Sequence, residues 1–221
     1  MFGGDSMNSK LREGLEHFRN ASYKKYKNLY KELENQQHPH TLFIACSDSR
    51  VSPELLTDSH PGDVFVVRNI ANTVPVYSDK NKDLNTASAI EFALEVLEVE
   101  QIIICGHSNC GGCAAAMNGI DNLSHLPNVK EYLKPLDEIR QEIERQNLVV
   151  SPSNKAELME RMNAVTQLNH LKEYPSIQKR LNQGTLIVEA WHYDIGAGDV
   201  QVYDEKSKKY QSILNEASVI S

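Results

Sequence analysis

Two short segments of this chain concentrate the side chains that can bind a metal or move a proton. The first is CSDSR, residues 46–50, and the second is GHSNCGGC, residues 106–113. His107 and Cys110 are three residues apart, so both can meet one ion within a tight turn. Cys46 supplies a third ligand if the two segments lie side by side. Two thiolates and an imidazole suit Zn²⁺, and three protein ligands leave a fourth position for chemistry.

The residues alone leave two other uses of these cysteines open. Cys110 and Cys113 form a C-x-x-C pair that could act in redox exchange. That hypothesis predicts a thioredoxin-like unit with the pair near a helix N-terminus, and it gives His107 no role. Alternatively, Cys113 could complete a closed structural zinc site with the three residues above. A closed site gives Asp48 and Arg50 nothing to do, so the open catalytic site is favoured.

Alternating strands and helices are expected to position these segments. Strands are predicted for the apolar runs at 41–46, 63–69, 101–105, 185–193 and 199–205, the last two forming a hairpin. Helices are predicted for 10–37, 84–98 and 128–182, the last with a break near Ser151-Pro152-Ser153. Cys105 lies inside an apolar run and is expected to pack as a small hydrophobic residue.

The pattern predicts an α/β fold, a single domain over 1–221 with a mainly parallel sheet and helices on both faces. CSDSR follows the first strand and GHSNCGGC follows the third. Open α/β sheets bind ligands at the carboxyl ends of parallel strands. The two segments are therefore expected to meet there, while residues 1–6 are a cloning remnant or a natural tail outside the fold.

Bulk composition narrows the classes of protein. The 221 residues are 40% hydrophobic and 24% charged, which is typical of a globular domain rather than a disordered chain. The net charge of −7 argues against binding to nucleic acid through phosphates. We expect no membrane span and no signal peptide. Four cysteines, three of them clustered beside a histidine, favour reduced thiols and a cytoplasmic location.

At these motifs the sequence resembles the β-class carbonic anhydrases. CSDSR followed about 60 residues later by GHSNCGG carries the likeness. It extends through PGDVFVVRNIAN (61–72), ASAIEFAL (87–94) and WHYD (191–194), and so covers nearly the whole chain. The resemblance implies a four-stranded parallel sheet, a C-terminal antiparallel extension, and a homo-oligomer, either a dimer or a dimer of dimers. It also implies that the helical arm at about 10–37 packs on a partner subunit.

The resemblance further implies reversible hydration of carbon dioxide to bicarbonate and a proton by zinc-bound hydroxide. One Zn²⁺ per chain would be held by Cys46, His107 and Cys110. The catalytic residues would be the pair Asp48 and Arg50, with Asp48 also a fourth metal ligand in a closed state. A substrate pocket at the subunit interface would be lined by Gln37, Phe65, Ile70, Phe92 and Gly111.

Several finer points stay open at this stage. A regulatory bicarbonate site in some relatives needs a tryptophan where this chain has Phe43, although Arg68 and Tyr193 match its other members. A plain salt bridge is the simpler role for Arg68. His60 or His192 could relay the proton, but a surface or packing role is favoured for each. Hydrolysis of carbon disulfide or carbonyl sulfide, or a zinc-stabilised scaffold without turnover, are the alternative functions.

Overall fold

The computed structural model describes residues 8–78, 83–146 and 151–213. Its centre is a six-stranded sheet in the order β2-β1-β3-β4-β5-β6. The strands are β1 (Thr41–Cys46), β2 (Val64–Asn69), β3 (Gln101–His107), β4 (Ile187–Asp194), β5 (Asp199–Asp204) and β6 (Lys209–Ser212). The first four in this order are parallel, and β5 and β6 are antiparallel. The predicted four-stranded parallel sheet with an antiparallel extension is confirmed.

The sheet is covered by apolar contacts on both faces, which is why its central strands are continuous apolar runs. In β1, Leu42 and Ile44 join one buried cluster, whereas Phe43 and Ala45 join another. Strand side chains alternate between the two faces, so each strand supplies both layers. Cys105 is fully buried in the second cluster, as the apolar run predicted, and burial raises the pKa of its thiol to about 12.

Among the described residues, three α-helices precede β1 and seven connect the parallel strands. They are α1 (Ser9–His17), α2 (Tyr23–Lys25), α3 (Lys27–Glu32), α4 (Pro53–Leu56), α5 (Leu84–Glu95), α6 (Gly111–Met117), α7 (Pro127–Leu133), α8 (Asp137–Arg145), α9 (Pro152–Lys172) and α10 (Pro175–Asn182). A π-helical turn covers Phe18–Ser22, and 3₁₀ turns cover Ile70–Asn72, Ile120–Leu123 and Lys134–Leu136. The predicted break at 151–153 is where α9 begins, with Ser151 accepting a hydrogen bond from the Asn154 amide. No helix in the described ranges is long and apolar enough to cross a membrane.

The N-terminal part differs from the single helix predicted for 10–37. The chain divides at His38–Pro39 into two compact units, and the helices of the first unit end at Glu32. They are interrupted by the π-helical turn and by Tyr26, whose backbone leaves the helical region. Apolar side chains of this unit, including Leu11 and Leu15, are exposed. The short strand β6 was not predicted, because its sequence KYQS has no apolar run.

Candidate metal centre

The carboxyl ends of β1 and β3 bring the two chemical segments together. The strands are adjacent and parallel, so Cys46 and His107 end at the same edge of the sheet. The chain then passes through Asn109, which has a left-handed backbone (φ 55°) and turns the chain ahead of Cys110. The ligand atoms of Cys46, His107 and Cys110 all lie within 4.8 Å of one another, and all three residues are buried. The structure thus assembles the three residues that the sequence predicts as ligands.

The geometry of these three residues fits a zinc ion. The two sulfur atoms are 3.9 Å apart, and tetrahedral coordination with Zn–S bonds of about 2.3 Å would place them roughly 3.8 Å apart. His107 Nδ1 lies 3.0 Å from the Ser108 carbonyl oxygen and donates to it. That bond leaves the lone pair on Nε2, which is buried without a partner among the described residues. A buried imidazole lone pair beside two thiols is a set of donors that suits Zn²⁺.

Without a metal, the two thiols are poor acids. The hydrogen bond with Cys110 and burial raise the pKa of Cys46 to about 12. The hydrogen bond with Cys113, and burial, raise the pKa of Cys110 to about 12. Burial lowers the pKa of His107, but its interactions with Cys46, the Ser108 carbonyl and Asp48 together raise it overall. A bound cation would favour both thiolates, so metal binding should release protons from this cluster.

Cys113 lies outside the group of three ligands that the described residues form. Its sulfur accepts a hydrogen bond from Asn163 Nδ2 at 3.7 Å. The C-x-x-C pair does sit at a helix N-terminus, since Cys110 is the N-cap of α6, as the redox hypothesis predicted. However, the Cys110 sulfur lies 3.9 Å from that of Cys46, and the converging ligand atoms include His107 but not Cys113, so the arrangement favours the three-ligand centre over both the redox pair and the closed site.

Asp48 and Arg50 form a two-pronged ion pair beside the ligands. Arg50 Nε donates to Asp48 Oδ1 at 2.9 Å, and Nη2 donates to Oδ2 at 2.8 Å. The Arg50 amide also donates to Oδ1 at 2.9 Å. These hydrogen bonds hold the pKa of the Asp48 carboxyl well below its usual range, so it is ionised at any physiological pH. Arg50 Nη2 reaches the Asn109 carbonyl oxygen at 3.0 Å, which links the pair to the turn before Cys110.

Arg68 holds the main chain of the first segment, residues 46–48, through two hydrogen bonds. Its Nε donates to the Cys46 carbonyl oxygen at 3.1 Å, and its Nη2 donates to that of Asp48 at 2.6 Å. Among the described residues no carboxylate pairs with it, so the simple salt bridge expected from the sequence is wrong. Phe43, at the position where the regulated relatives carry tryptophan, is buried and packs edge-on against Trp191.

The predicted pocket residues fall into separate groups. Phe65 and Phe92 are neighbours, with ring centroids 5.9 Å apart. Ile70 lies against the helix that follows Cys110, because a Cβ atom at Gly112 would come within 2.9 Å of Ile70 Cγ2. Ile70 and Phe92 are both exposed in the single chain. Gly111 has open space around its Cα, whereas Gln37 belongs to the N-terminal unit and its place in the pocket stays a prediction.

Neither histidine considered for proton relay lies where it could pass a proton from the ligand cluster to solvent. His60 comes shortly before β2, at the amino end of the parallel strands and therefore at the sheet edge opposite the ligands. His192 is buried, and its Nε2 donates to Glu160 Oε2 at 3.3 Å. The favoured interpretations, a surface histidine and a packing histidine, agree with these positions.

Sequence reasoning missed Glu160 and Asn163, two buried residues of α9. Glu160 Oε1 accepts a hydrogen bond from the Cys110 amide at 3.0 Å, and Asn163 Nδ2 donates to the Ala71 carbonyl oxygen at 2.8 Å. Their signal in the sequence is a helical row of polar residues at 160, 163, 167 and 170. In an amphipathic helix such a row usually faces solvent, but in α9 three of these residues are buried, as are apolar residues such as Met159 and Leu168.

Comparison with known proteins agrees with this fold and this site. The family model described as carbonic anhydrase matches residues 41–200. A carbonic anhydrase from Synechocystis is 40% identical over 199 residues, covering 88% of this chain and 70% of the relative. One from Pseudomonas aeruginosa is 35% identical over 207 residues, covering 94% and 92% respectively.

Solved structures of β-carbonic anhydrases are also similar to this chain. The β-carbonic anhydrase CcaA superposes with a TM-score of 0.87 at 37% identity, covering 92% of this chain and 98% of that one. A structure described as one of two tetrameric β-carbonic anhydrases from Sordaria macrospora has a TM-score of 0.75 at 29% identity, covering 88% and 97%. The chain therefore belongs to the carbonic anhydrase family, and its fold is that of the β class.

Proposed function

We propose that this protein catalyses the reversible hydration of carbon dioxide to bicarbonate and a proton, with one Zn²⁺ per chain. The observation that carries the proposal is an open set of three buried ligand residues beside an ionised, two-pronged Asp48–Arg50 pair. When bound, zinc lowers the pKa of a coordinated water so that hydroxide is available near neutral pH. Cys46, His107 and Cys110 would hold the ion.

Asp48 is the group in this chain that can orient the attacking oxygen. Its carboxylate is ionised and fixed by three hydrogen bonds from Arg50, so it is an acceptor with a set direction. By accepting a hydrogen bond from the attacking hydroxide, Asp48 would turn an oxygen lone pair toward the substrate. An acceptor that is pre-positioned in this way costs no reorganisation during the reaction. In a closed state, Asp48 would instead become a fourth ligand to the metal.

The apolar side chains nearby suit an uncharged linear substrate. Phe65, Ile70 and Phe92 offer no hydrogen bonds, so they would accept carbon dioxide more readily than its charged product. Gly111 leaves open space at the start of α6. Ile70 and Phe92 are too exposed to form a closed pocket within one chain. We infer that a partner subunit covers them and that Gln37 and the N-terminal arm contribute to that interface.

The state of the cysteines supports a reducing, cytoplasmic location. All four are buried and unpaired, and the proposed centre needs two of them as thiolates. The assembly would be a homodimer or a dimer of dimers, like the tetrameric relatives from Sordaria macrospora.

Stopped-flow measurement of carbon dioxide hydration, with zinc assayed in the same samples, tests the proposal. We expect rapid hydration from protein that holds one zinc per chain. Carbonyl sulfide and carbon disulfide offered to the same protein should be poor substrates. Preferential hydrolysis of either one would replace the proposed substrate, and zinc-replete protein inactive on all three would be a scaffold.

A further inference from the structure

Helix α9 carries a buried polar row that faces the active-site turns. Glu160, Asn163 and Gln167 are spaced at helical intervals and are 3%, 0% and 1% exposed. Polar side chains are rarely buried in this way unless their hydrogen bonds are satisfied. In this helix the partners are main-chain groups of two separate turns, so the row does more than pack against the sheet.

Glu160 holds the turn that presents Cys110. One carboxylate oxygen accepts from the Cys110 amide at 3.0 Å, and the other accepts from His192 Nε2 at 3.3 Å. His192 is itself buried on β4, where it lies in register with Gly106. These two hydrogen bonds fix the Glu160 carboxylate. The length of the Glu160 side chain then sets the distance between the Cys110 backbone and α9.

Asn163 holds the turn that carries Ile70. Its Nδ2 donates to the Ala71 carbonyl oxygen at 2.8 Å, and its Oδ1 accepts from Gln167 Nε2 at 2.8 Å. Gln167 Oε1 in turn accepts from the Val74 amide at 2.7 Å. Two side chains of α9 therefore fix both ends of the segment from Ala71 to Val74.

Both turns need such support because their backbones are strained. Asn109 and Ala71 have left-handed backbones, with φ of 55° and 59°, although neither is glycine. Residues in this region persist only where the surroundings hold them. The turns also meet each other, since a Cβ atom at Gly112 would lie 3.0 Å from Ala71 Cβ.

We propose that Glu160 and Asn163 are positioning residues that fix the metal-ligand turn and the pocket turn to one helix and so set their relative placement. This inference rests on the proposed function in one respect: it takes the turn that carries Ile70 to be part of the substrate pocket. The part played by Glu160 concerns metal binding, so it can be tested without any catalytic measurement.

The test of Glu160 compares two conservative variants that separate length from charge. Glu160→Asp keeps the charge but shortens the side chain, so it should not reach the Cys110 amide. Glu160→Gln keeps the length, and its carbonyl oxygen can still accept from that amide while its amide group donates to the His192 ring. Loss of an outer-shell contact typically weakens metal binding about 10–100-fold. We expect that loss for Glu160→Asp and zinc affinity within about threefold of wild type for Glu160→Gln.

Zinc affinity would be measured by competition with a chelator, and the visible absorption of the cobalt-substituted protein would report the ligand geometry. A shifted cobalt spectrum is expected for Glu160→Asp only. The reverse order of the two variants would show that charge matters and not position, and wild-type affinity in both would also overturn the proposal. If the wild type binds zinc but does not hydrate carbon dioxide, the proposed function fails while this comparison still decides the role of Glu160.

The test of Asn163 uses amide hydrogen exchange, which also needs no activity. Asn163→Leu keeps the approximate volume but removes the donor to Ala71. We expect amide exchange in residues 70–75 to rise at least tenfold, with zinc affinity unchanged. Leu168→Ala is the matched control, because Leu168 is a buried apolar residue of the same helix whose cluster contains no residue of 70–75. It should lower the melting temperature without this local effect, and equal exchange in the two variants would overturn the assignment.

Discussion

The proposed ligands and the proposed pocket residues differ in how completely one chain assembles them. Cys46, His107 and Cys110 are at most 5% exposed, and their ligand atoms already converge. Ile70 and Phe92 are 41% and 44% exposed. The difference teaches that one chain brings the three candidate ligands together but leaves the apolar side chains of the proposed pocket uncovered. We therefore attribute metal binding to the single chain and substrate binding to an assembly.

Substituting a ligand should have the largest effect. We expect Cys46→Ser, His107→Ala and Cys110→Ser each to lose most of the bound zinc and all measurable hydration, because two protein ligands hold zinc far more weakly than three. Metal content after dialysis and the rate of carbon dioxide hydration are the measurements.

Cys113→Ser is the matched control, since Cys113 lies outside the ligand group. It should keep its zinc. Loss of zinc from Cys113→Ser as complete as from Cys110→Ser would favour the closed structural site and remove the open position that catalysis needs.

Removing the arm should have the next largest effect. Leu11, Leu15 and Phe18 are exposed apolar side chains of the N-terminal unit, and exposed apolar surface of this kind usually marks an interface. We expect deletion of residues 1–35 to give insoluble protein or inactive monomer. Sedimentation of the full-length chain should show no monomer, and an active monomer at micromolar concentration would refute the shared pocket.

Breaking the ion pair should reduce turnover while the metal stays bound. Removing an oriented hydrogen bond in an active site typically costs about 10²–10³ in turnover, and we expect this for Arg50→Ala. Arg50→Lys should also be impaired, because lysine cannot make the two-pronged contact. The measurement is the initial rate of carbon dioxide hydration with zinc assayed in the same samples.

Charge alone would not explain such a loss. Without Arg50 the pKa of Asp48 should rise, since the hydrogen bonds that depress it are gone. It would rise only toward about 3.9, the ordinary value for aspartate. Asp48 would stay ionised near neutral pH, so a loss of activity there reports orientation. A nearly normal rate in zinc-replete Arg50→Ala would show that the Asp48–Arg50 ion pair has no role in the mechanism.

Crowding the contact between Gly112 and the turn that contains Ile70 and Ala71 should give the smallest effect. In Gly112→Ala the new methyl group would lie 2.9 Å from Ile70 Cγ2 and 3.0 Å from Ala71 Cβ. Overpacking of this kind costs about 1–3 kcal/mol. We expect a lower melting temperature with zinc retained. Gly111→Ala is the control for stability, because nothing lies within 4 Å of its Cβ position; equal destabilisation of both would contradict the packing described.

The sequence predicted the strands well, and it identified three residues whose ligand atoms converge, because both signals are local. β1 and β3 are apolar runs, and the cysteines and histidine directly follow or end them. The family resemblance added the pairing of Asp48 with Arg50, which the structure shows as a direct contact. The antiparallel extension was predicted only as far as β5.

Contacts between segments that are distant along the chain could not be predicted from the sequence. The hydrogen bond between Glu160 and the Cys110 amide joins residues 50 positions apart, and nothing in the composition of α9 distinguishes a buried polar row from a solvated one. The interruption of the N-terminal helix at Tyr26 was missed because the periodicity of apolar residues continues across it. The role of Arg68 was also missed, since a carbonyl acceptor leaves no trace in side-chain identity.

The most direct test of the central claim is the rate of carbon dioxide hydration by zinc-loaded wild-type protein as a function of pH. Asp48 is ionised from about pH 6.5 to about pH 9, so a change in rate over that range would report the water on the metal or the opening of an Asp48–metal bond. We expect activity to rise from about pH 6.5 to about pH 9, as that water loses its proton. Protein that holds one zinc per chain and hydrates no carbon dioxide at any pH in this range would contradict the account.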